Sequence, residues 1–209
     1  MKVKLGIRWY PRKQETIQQS LRSIGNVDLT IYPDCKAKPN IEGYNIVNLG
    51  TNVGCFKHYY RTLEHLTQSD ADIVGVFSDD MLYVRNWQNK AIQHMGKNVG
   101  FVSCFVPRGL AHRYTWRRGV QELNKGWGHQ WGGGYLFKRE VAIELLQHPF
   151  ILNHRDNYKA NQQIDHAIPE AIYQMGLKQL YVVPSLMNHI GRNSTIGHSW
   201  REMDKGAGW

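Results

Sequence analysis

Acidic side chains are in short supply: 17 Asp and Glu stand against 26 Lys and Arg, a formal charge of +9 with histidine neutral. That imbalance turns the surface toward polyanions without naming an activity. Cysteine is scarce as well. Cys35, Cys55 and Cys104 are an odd number at wide spacings, which excludes a disulfide framework and a zinc-finger ligand set and predicts reduced thiols. No apolar run approaches the roughly 20 residues that a bilayer span requires. The first stretch, MKVKLGIRWYPRK, breaks its apolar run too early for a secretory signal, so the expected compartment is the cytoplasm. There is no repeat and no low-complexity tract, which removes solenoids, propellers and flexible linkers.

What is present is a globular composition, 42% hydrophobic and 21% charged over 209 residues, enough for one domain with one core. Val3 to Trp9 reads as a strand, Thr16 to Ile24 as a helix through Ile17, Leu21 and Ile24, and Val27 to Tyr32 as a second strand. A short strand is expected around Tyr44 to Leu49. Asn52 is placed to cap a helix from about Gly54 to Leu66. Ile73 to Phe77 is a nearly continuous apolar run, the pattern of a strand buried on both faces. A helix from Trp87 to Met95, a strand from Val99 to Val106, a strand at Tyr135 to Phe137, helices near Glu140 to Gln147 and Gln163 to Met175, and a strand at Leu180 to Val183 follow. Alternating β and α elements predict a mostly parallel sheet covered on both sides. Between them, about residues 107–131, periodicity fails and a basic, aromatic loop or small insertion is expected.

The apolar strand runs directly into Ser78-Asp79-Asp80. Ligands of open α/β sheets gather at the carboxyl ends of parallel strands, and two adjacent carboxylates there are costly without a compensating cation. A hard divalent ion needs few protein oxygens and bridges readily to diphosphate. The plainer alternative is an acidic turn that caps the next helix.

Five segments then stand in a telling order: Asn52-Val53-Gly54 before a helix, the strand into Ser78-Asp79-Asp80, Trp131-Gly132-Gly133-Gly134-Tyr135-Leu136-Phe137, Asp165 in QQIDHAIPEAIYQMG, and PSLMNHIG ending at Gly191. Over most of residues 3–198 this arrangement resembles the nucleotide-sugar-dependent glycosyltransferases of the GT-A fold, family 2-like. The resemblance implies a single-domain α/β/α sandwich, Rossmann-like, with a mostly parallel central sheet. It implies transfer of a hexosyl or pentosyl group from a nucleoside-diphosphate sugar, a UDP-sugar by preference, to an acceptor hydroxyl, with inversion favoured. In such enzymes an aspartate-rich motif holds the metal and the donor's ribose-diphosphate. Asp80 matches its metal-reaching position, while Ser78 occupies the place of a leading aspartate and Asp79 stands as the alternative ribose contact. His189 matches a second metal ligand, and imidazole suits Mn²⁺ better than Mg²⁺. Asp165, opening an apolar-periodic helix, matches the catalytic base. Donor contacts are expected from Arg8, Tyr10, Pro11, Arg12, Asp34, Asn52, Gly54 and Lys57. Arg192 and His198 are candidates for phosphate or leaving-group contacts, and Trp131 with Gly132, Gly133 and Gly134 for the sugar or acceptor. Each has a bland alternative: a solvated charge, a helix cap, a hairpin turn.

The segment from Arg108 to Trp131 interleaves Arg113, Arg117 and Arg118 with Tyr114, Trp116 and Trp127. Cations meet phosphates and rings stack on bases, the combination of a nucleic-acid groove. The acceptor expected on that ground is a hydroxymethylated pyrimidine in DNA, flipped out of the stack, which is chemistry of viral DNA modification. Aromatic walls also bind sugars, so a glycan or protein acceptor is the second reading. A non-catalytic nucleic-acid-binding module on a degenerate transferase fold is the third.

Overall fold

The computed structural model describes residues 1–11, 16–123, 134–157, 164–191 and 206–208. In chain order the elements are β1 (Val3–Trp9), α1 (Ile17–Ile24), β2 (Asp28–Pro33), β3 (Asn45–Ile46), α2 (Cys55–Thr67), β4 (Ile73–Ser78), β5 (Met81–Tyr83), α3 (Trp87–Ile92), β6 (Val99–Ser103), α4 (Arg108–Arg113), β7 (Gly119–Glu122), β8 (Gly134–Lys138), α5 (Arg139–Gln147), α6 (Pro149–Asp156), α7 (Ile164–Gln174), β9 (Lys178–Val183) and β10 (Met187–His189). Eight strands form one sheet in the order β3-β2-β1-β4-β8-β6-β9-β7, and β5 pairs with β10 in a separate two-stranded ribbon. The β3-β2-β1-β4 half is parallel throughout, while β8 runs antiparallel to both of its neighbours.

Alternation along the strands sorts side chains onto two faces. Leu5, Ile7 and Trp9 of β1 join Ile31, Phe77 and Leu136 in a cluster that α1 closes with Ile17, Leu21 and Ile24. On the other face Val74, Val76, Phe101, Tyr135 and Tyr181 pack against Leu63 and Leu66 of α2 and Ala167, Ile168 and Ala171 of α7. Burying a Leu or Ile fully is worth about 1.5–3 kcal/mol, so each helix is held chiefly by its apolar face. The parallel strands β1, β2 and β4 all end at one edge, at Trp9, Pro33 and Ser78, and that edge carries the candidate site.

The structure departs from the sequence expectations where side-chain pattern is a weak guide. Asn52 does not cap α2: Gly54 occupies that place at φ 90, and Asn52 sits in a left-handed turn at φ 53. A left-handed cap favours the residue without a Cβ. The strand expected over Tyr44 to Leu49 shrinks to two residues, the helix from Trp87 stops at Ile92, and the strand from Val99 stops at Ser103. Short β5 and the helices α4 and α6 went unanticipated, because three to eight residues display too little periodicity. Within the 107–131 stretch, β7 is an edge strand of the main sheet, antiparallel to β9, and residues 124–131 lie outside those described.

Candidate active site

At the end of β4 the chain turns through Asp79 and Asp80 and re-enters a strand at Met81. β5 then pairs antiparallel with β10, matching Met81 with His189, and the Ile190 amide donates to the Asp80 carbonyl at 2.9 Å. Strand pairing thus brings together two residues 109 positions apart in sequence. The His189 Nε2 lies 2.9 Å from Asp80 Oδ2, with the side chains only 16% and 3% exposed. β10 is itself anchored from below by Ser185, whose hydroxyl donates to the Met187 carbonyl at 2.7 Å and accepts from the Val106 amide at 3.1 Å. His189 is the last residue of β10.

The donor set fits a hard divalent cation. At 2.9 Å the imidazole and carboxylate pair with each other, and the same two atoms are of the types that a divalent ion would take. One carboxylate and one imidazole leave positions for diphosphate oxygens, and the nitrogen favours Mn²⁺. Among the described residues, no group of three or more His, Cys, Asp or Glu side chains comes together.

Asp79, buried beside Asp80, reaches the other way: its Oδ2 accepts from the Tyr10 amide at 3.4 Å, tying the end of β4 to the end of β1. Arg8, one residue pair back in the β1–β4 register, donates to the Cys55 carbonyl at 3.1 Å and to Ser78 Oγ at 3.5 Å. Its guanidinium carbon sits 5.3 Å from the centre of the Tyr59 ring, a cation–π contact. Ser78 thus holds Arg8 across the strand ends.

Asp34 follows β2 at the same edge. It is 4% exposed, and its Oδ1 accepts from the Val53 amide at 3.1 Å while its carbonyl accepts from the Asn52 amide at 3.1 Å. Burial pushes its carboxyl above the ordinary value, opposed by the Val53 amide and the Arg8 charge. The Tyr10 hydroxyl donates to Asn52 Oδ1 at 3.3 Å. Tyr10, Asp34, Asn52 and Gly54 are therefore one connected loop cluster beside Arg8. Pro11 is exposed next to it, and Lys57 is half-buried on the first turn of α2.

Asp165 is the second residue of α7, half-buried on the opposite side of the sheet from α1. Negative charge is favoured in a first helical turn. Pro169 lies within α7, where its ring removes the amide that would have bonded the Asp165 carbonyl, and the side chain of Gln179 donates to the Pro169 carbonyl at 2.8 Å. Under Asp165 sit three buried tyrosines. The Asp165 charge adds to burial in raising the pKa of Tyr59, Tyr135 and Tyr181, so all three remain neutral phenols. The Tyr181 hydroxyl donates to Gln179 Oε1 at 3.4 Å, whereas the hydroxyls of Tyr59 and Tyr135 make no hydrogen bond among the described residues. Sequence reasoning missed these phenols, since Tyr59 falls within an expected helix and Tyr135 within an expected strand. The available signal was tyrosine rather than phenylalanine at fully buried positions, since a buried phenol ordinarily requires a partner. His58, also missed, is 3% exposed; burial first, then Arg8 and Arg61, lower its pKa to about 3.

Two expected contact residues are also packing residues. Gly134 is no loop glycine open to a sugar: it is the first residue of β8, paired with Phe77, and a Cβ there would meet Met187 Sδ at 2.9 Å and the Phe77 ring at 3.3 Å. Trp116 is half-buried and lies against Tyr114 (ring centres 5.4 Å apart, interplanar angle 22°) and against Tyr181 (5.0 Å, 34°). Arg113, Arg117 and Arg118, by contrast, are all exposed. Arg12, Trp131, Gly132, Gly133, Arg192 and His198 fall outside the described residues. No helix among those described is long and apolar enough to cross a membrane.

No family model matches the sequence, and no curated protein matches it. Solved structures do. A crystal structure of GalNAc-T7 with UDP, GalNAc and Mn²⁺ superposes over 91% of this chain with a TM-score of 0.64 at 11% sequence identity. This chain spans 44% of that one, less than half its length. At such identity the likeness is one of architecture, and it places the chain's mostly parallel central sheet and flanking helices in the GT-A fold, the Rossmann-like α/β sandwich.

Proposed function

We propose that this chain is a metal-dependent glycosyltransferase that moves a sugar from a nucleoside diphosphate, UDP by preference, to an acceptor hydroxyl. The observation that carries the reading is the meeting of Asp80 and His189 at 2.9 Å, at the strand-end edge of a GT-A sheet. The solved neighbour of this fold was crystallised with UDP and Mn²⁺, which supports the choice of donor and ion.

Asp80 and His189 would hold the cation, Mn²⁺ before Mg²⁺, and the ion would neutralise charge developing on the departing diphosphate. Asp79 orders the Tyr10 amide, and Arg8, positioned by Ser78 and Cys55, adds a fixed positive charge at the same edge. Asp34, Asn52 and Gly54 shape the loop proposed to receive the base and ribose, with Pro11 and Lys57 at its border and Arg12, Arg192 and His198 as further phosphate contacts. Asp165 takes the proton of the acceptor hydroxyl as its oxygen bonds to the anomeric carbon and the bond from that carbon to the phosphate oxygen breaks. A single base with direct displacement inverts the anomeric centre. Trp131, Gly132 and Gly133 remain proposed sugar or acceptor contacts, and the whole chain, 1–209, is proposed to act as one transferase domain.

For the acceptor, the exposed Arg113, Arg117 and Arg118 and the net charge of +9 support a hydroxyl carried on a polyanion, a hydroxymethylated pyrimidine in DNA being the proposed case. Calorimetry of UDP with and without Mn²⁺, on the native chain and on Asp80→Ala, tests the donor site. Metal-independent binding, or binding indifferent to the substitution, would overturn it. Labelled-donor transfer to hydroxymethylated DNA, glycans and protein tests the acceptor, and turnover confined to glycans or protein would remove the DNA assignment.

A further inference from the structure

Tyr59 and Tyr135 are among the largest fully buried side chains, 1% and 0% exposed, yet neither hydroxyl is hydrogen-bonded among the described residues. A phenylalanine would fill either position without leaving a polar atom dry. The two residues come from different elements, α2 and β8, and both belong to the cluster that Ile164, Ala167 and Ile168 of α7 close around Asp165. Arg8 lies over the Tyr59 ring, and its Nε also has no hydrogen-bond partner among those residues. Three unmade polar groups, two neutral and one cationic, therefore gather on one face of the sheet, beneath an edge where Arg8, Ser78 and Asp165 are all only partly buried. In native interiors such groups are rarely left unmet, and each one that stays so weakens the ligand-free fold.

We propose that the Tyr59 and Tyr135 hydroxyls, with Arg8 Nε, form a subsite for the neutral hydroxyls of the donor's sugar ring. A phenol both donates and accepts, and so does a sugar hydroxyl, so the match is one of neutral, two-way hydrogen bonding; an anion would pair with Arg8 but would set its charge against that of Asp165. Burial keeps both phenols neutral, as that pairing requires. This subsite rests on the donor-site reading above and extends it from the diphosphate to the sugar.

The test uses Tyr59→Phe, Tyr135→Phe and the double variant in the full chain, with calorimetry in Mn²⁺ against UDP and against UDP-GalNAc, UDP-GlcNAc, UDP-glucose and UDP-galactose, alongside thermal melting without ligand. The native chain is expected to bind at least one UDP-sugar more tightly than UDP. Each phenylalanine should lower that UDP-sugar's affinity roughly 10-fold, leave UDP within about twofold, and keep or raise the ligand-free melting temperature. A purely structural role for the hydroxyls would instead lower the melting temperature and weaken UDP and UDP-sugar together, and that result overturns the subsite. So does a double variant that keeps the full preference for the sugar, or a native chain that binds UDP but gains nothing from any of the four sugars. A native chain that binds no UDP at all brings down the donor site itself, and the subsite with it.

Discussion

The two corners of the site are built by different means. Asp80 and His189 meet through strand pairing: a three-residue register between β5 and β10 sets His189 opposite Met81, next to Asp80, and the carboxylate is almost wholly buried. Asp165 is set by helix packing, half-buried in the first turn of a helix that contains Pro169, near Tyr59 and Tyr135, whose hydroxyls make no hydrogen bond among the described residues. Strand register tolerates no slip, because a shift by one residue would send His189 to the other face. A helix start can adjust by fractions of a turn. Under the proposed roles, the first pair would hold an ion whose ligands must keep their distances, and the second would be a carboxylate that must follow a proton.

If the corners do separate work, substitutions should separate as well. The largest effect is expected at Asp165→Asn, which keeps size and removes the proposed base: sugar transfer should fall by a factor of about 10² to 10⁴. UDP affinity in Mn²⁺ should stay within about twofold, read by calorimetry on the same preparation. A parallel loss of UDP affinity would show that the corners are one, and the division drawn here would be wrong. Next comes Asp80→Ala, with His189→Ala beside it. Each should weaken Mn²⁺-dependent UDP binding about 10- to 100-fold, while binding measured in the presence of chelator stays unchanged between variant and native chain.

The two corners were also unequally legible. Asp79 and Asp80 stood out because a run of buried apolar residues ended abruptly in two carboxylates, a contrast visible in sequence. Asp165 stood out as an acid opening an apolar-periodic helix. His189 was reachable only through resemblance, since nothing local in a three-residue strand announces its partner across the fold. Gly134 and Trp116 are ambiguous in sequence for a common reason. Glycine and tryptophan serve core packing and ligand contact alike, and only the identity of their neighbours, Met187 and Phe77 for one and Tyr114 and Tyr181 for the other, tells which. The main strands and long helices emerged from periodicity, whereas β5, α4 and α6 are made by tertiary contacts that a short window does not contain.

A smaller effect should come from His58, on α2 one residue before Tyr59. Its folded pKa of about 3 lies below the ordinary 6.5, because burial and the nearby Arg8 and Arg61 disfavour the proton. The unfolded chain therefore binds a proton that the folded chain refuses. Stability tied to this group is complete above pH 6.5 and is lost as pH falls from there toward 3. Between pH 7 and pH 5 the loss amounts to about 2 kcal/mol. Urea unfolding at several pH values should show that slope in the native chain and a flatter one in His58→Leu. Because His154 is also held below its ordinary value by burial, the difference between the two chains is the quantity to read. Identical slopes would place His58 in contact with solvent.

The smallest effect joins the corners. Gly134 precedes Tyr135 on β8, and the atom that a Cβ at 134 would crowd is Met187 Sδ, at 2.9 Å, on the strand that carries His189. Gly134→Ala should cost about 1 kcal/mol, the low end for overpacking, because the methionine side chain can bend away. If it yields by moving β10, Mn²⁺-dependent UDP affinity should also drop a few-fold, while the gain in affinity that a sugar adds to UDP stays as in the native chain. The opposite pattern, with UDP affinity intact and the sugar's contribution lost, would return Gly134 to the sugar and detach it from the metal corner.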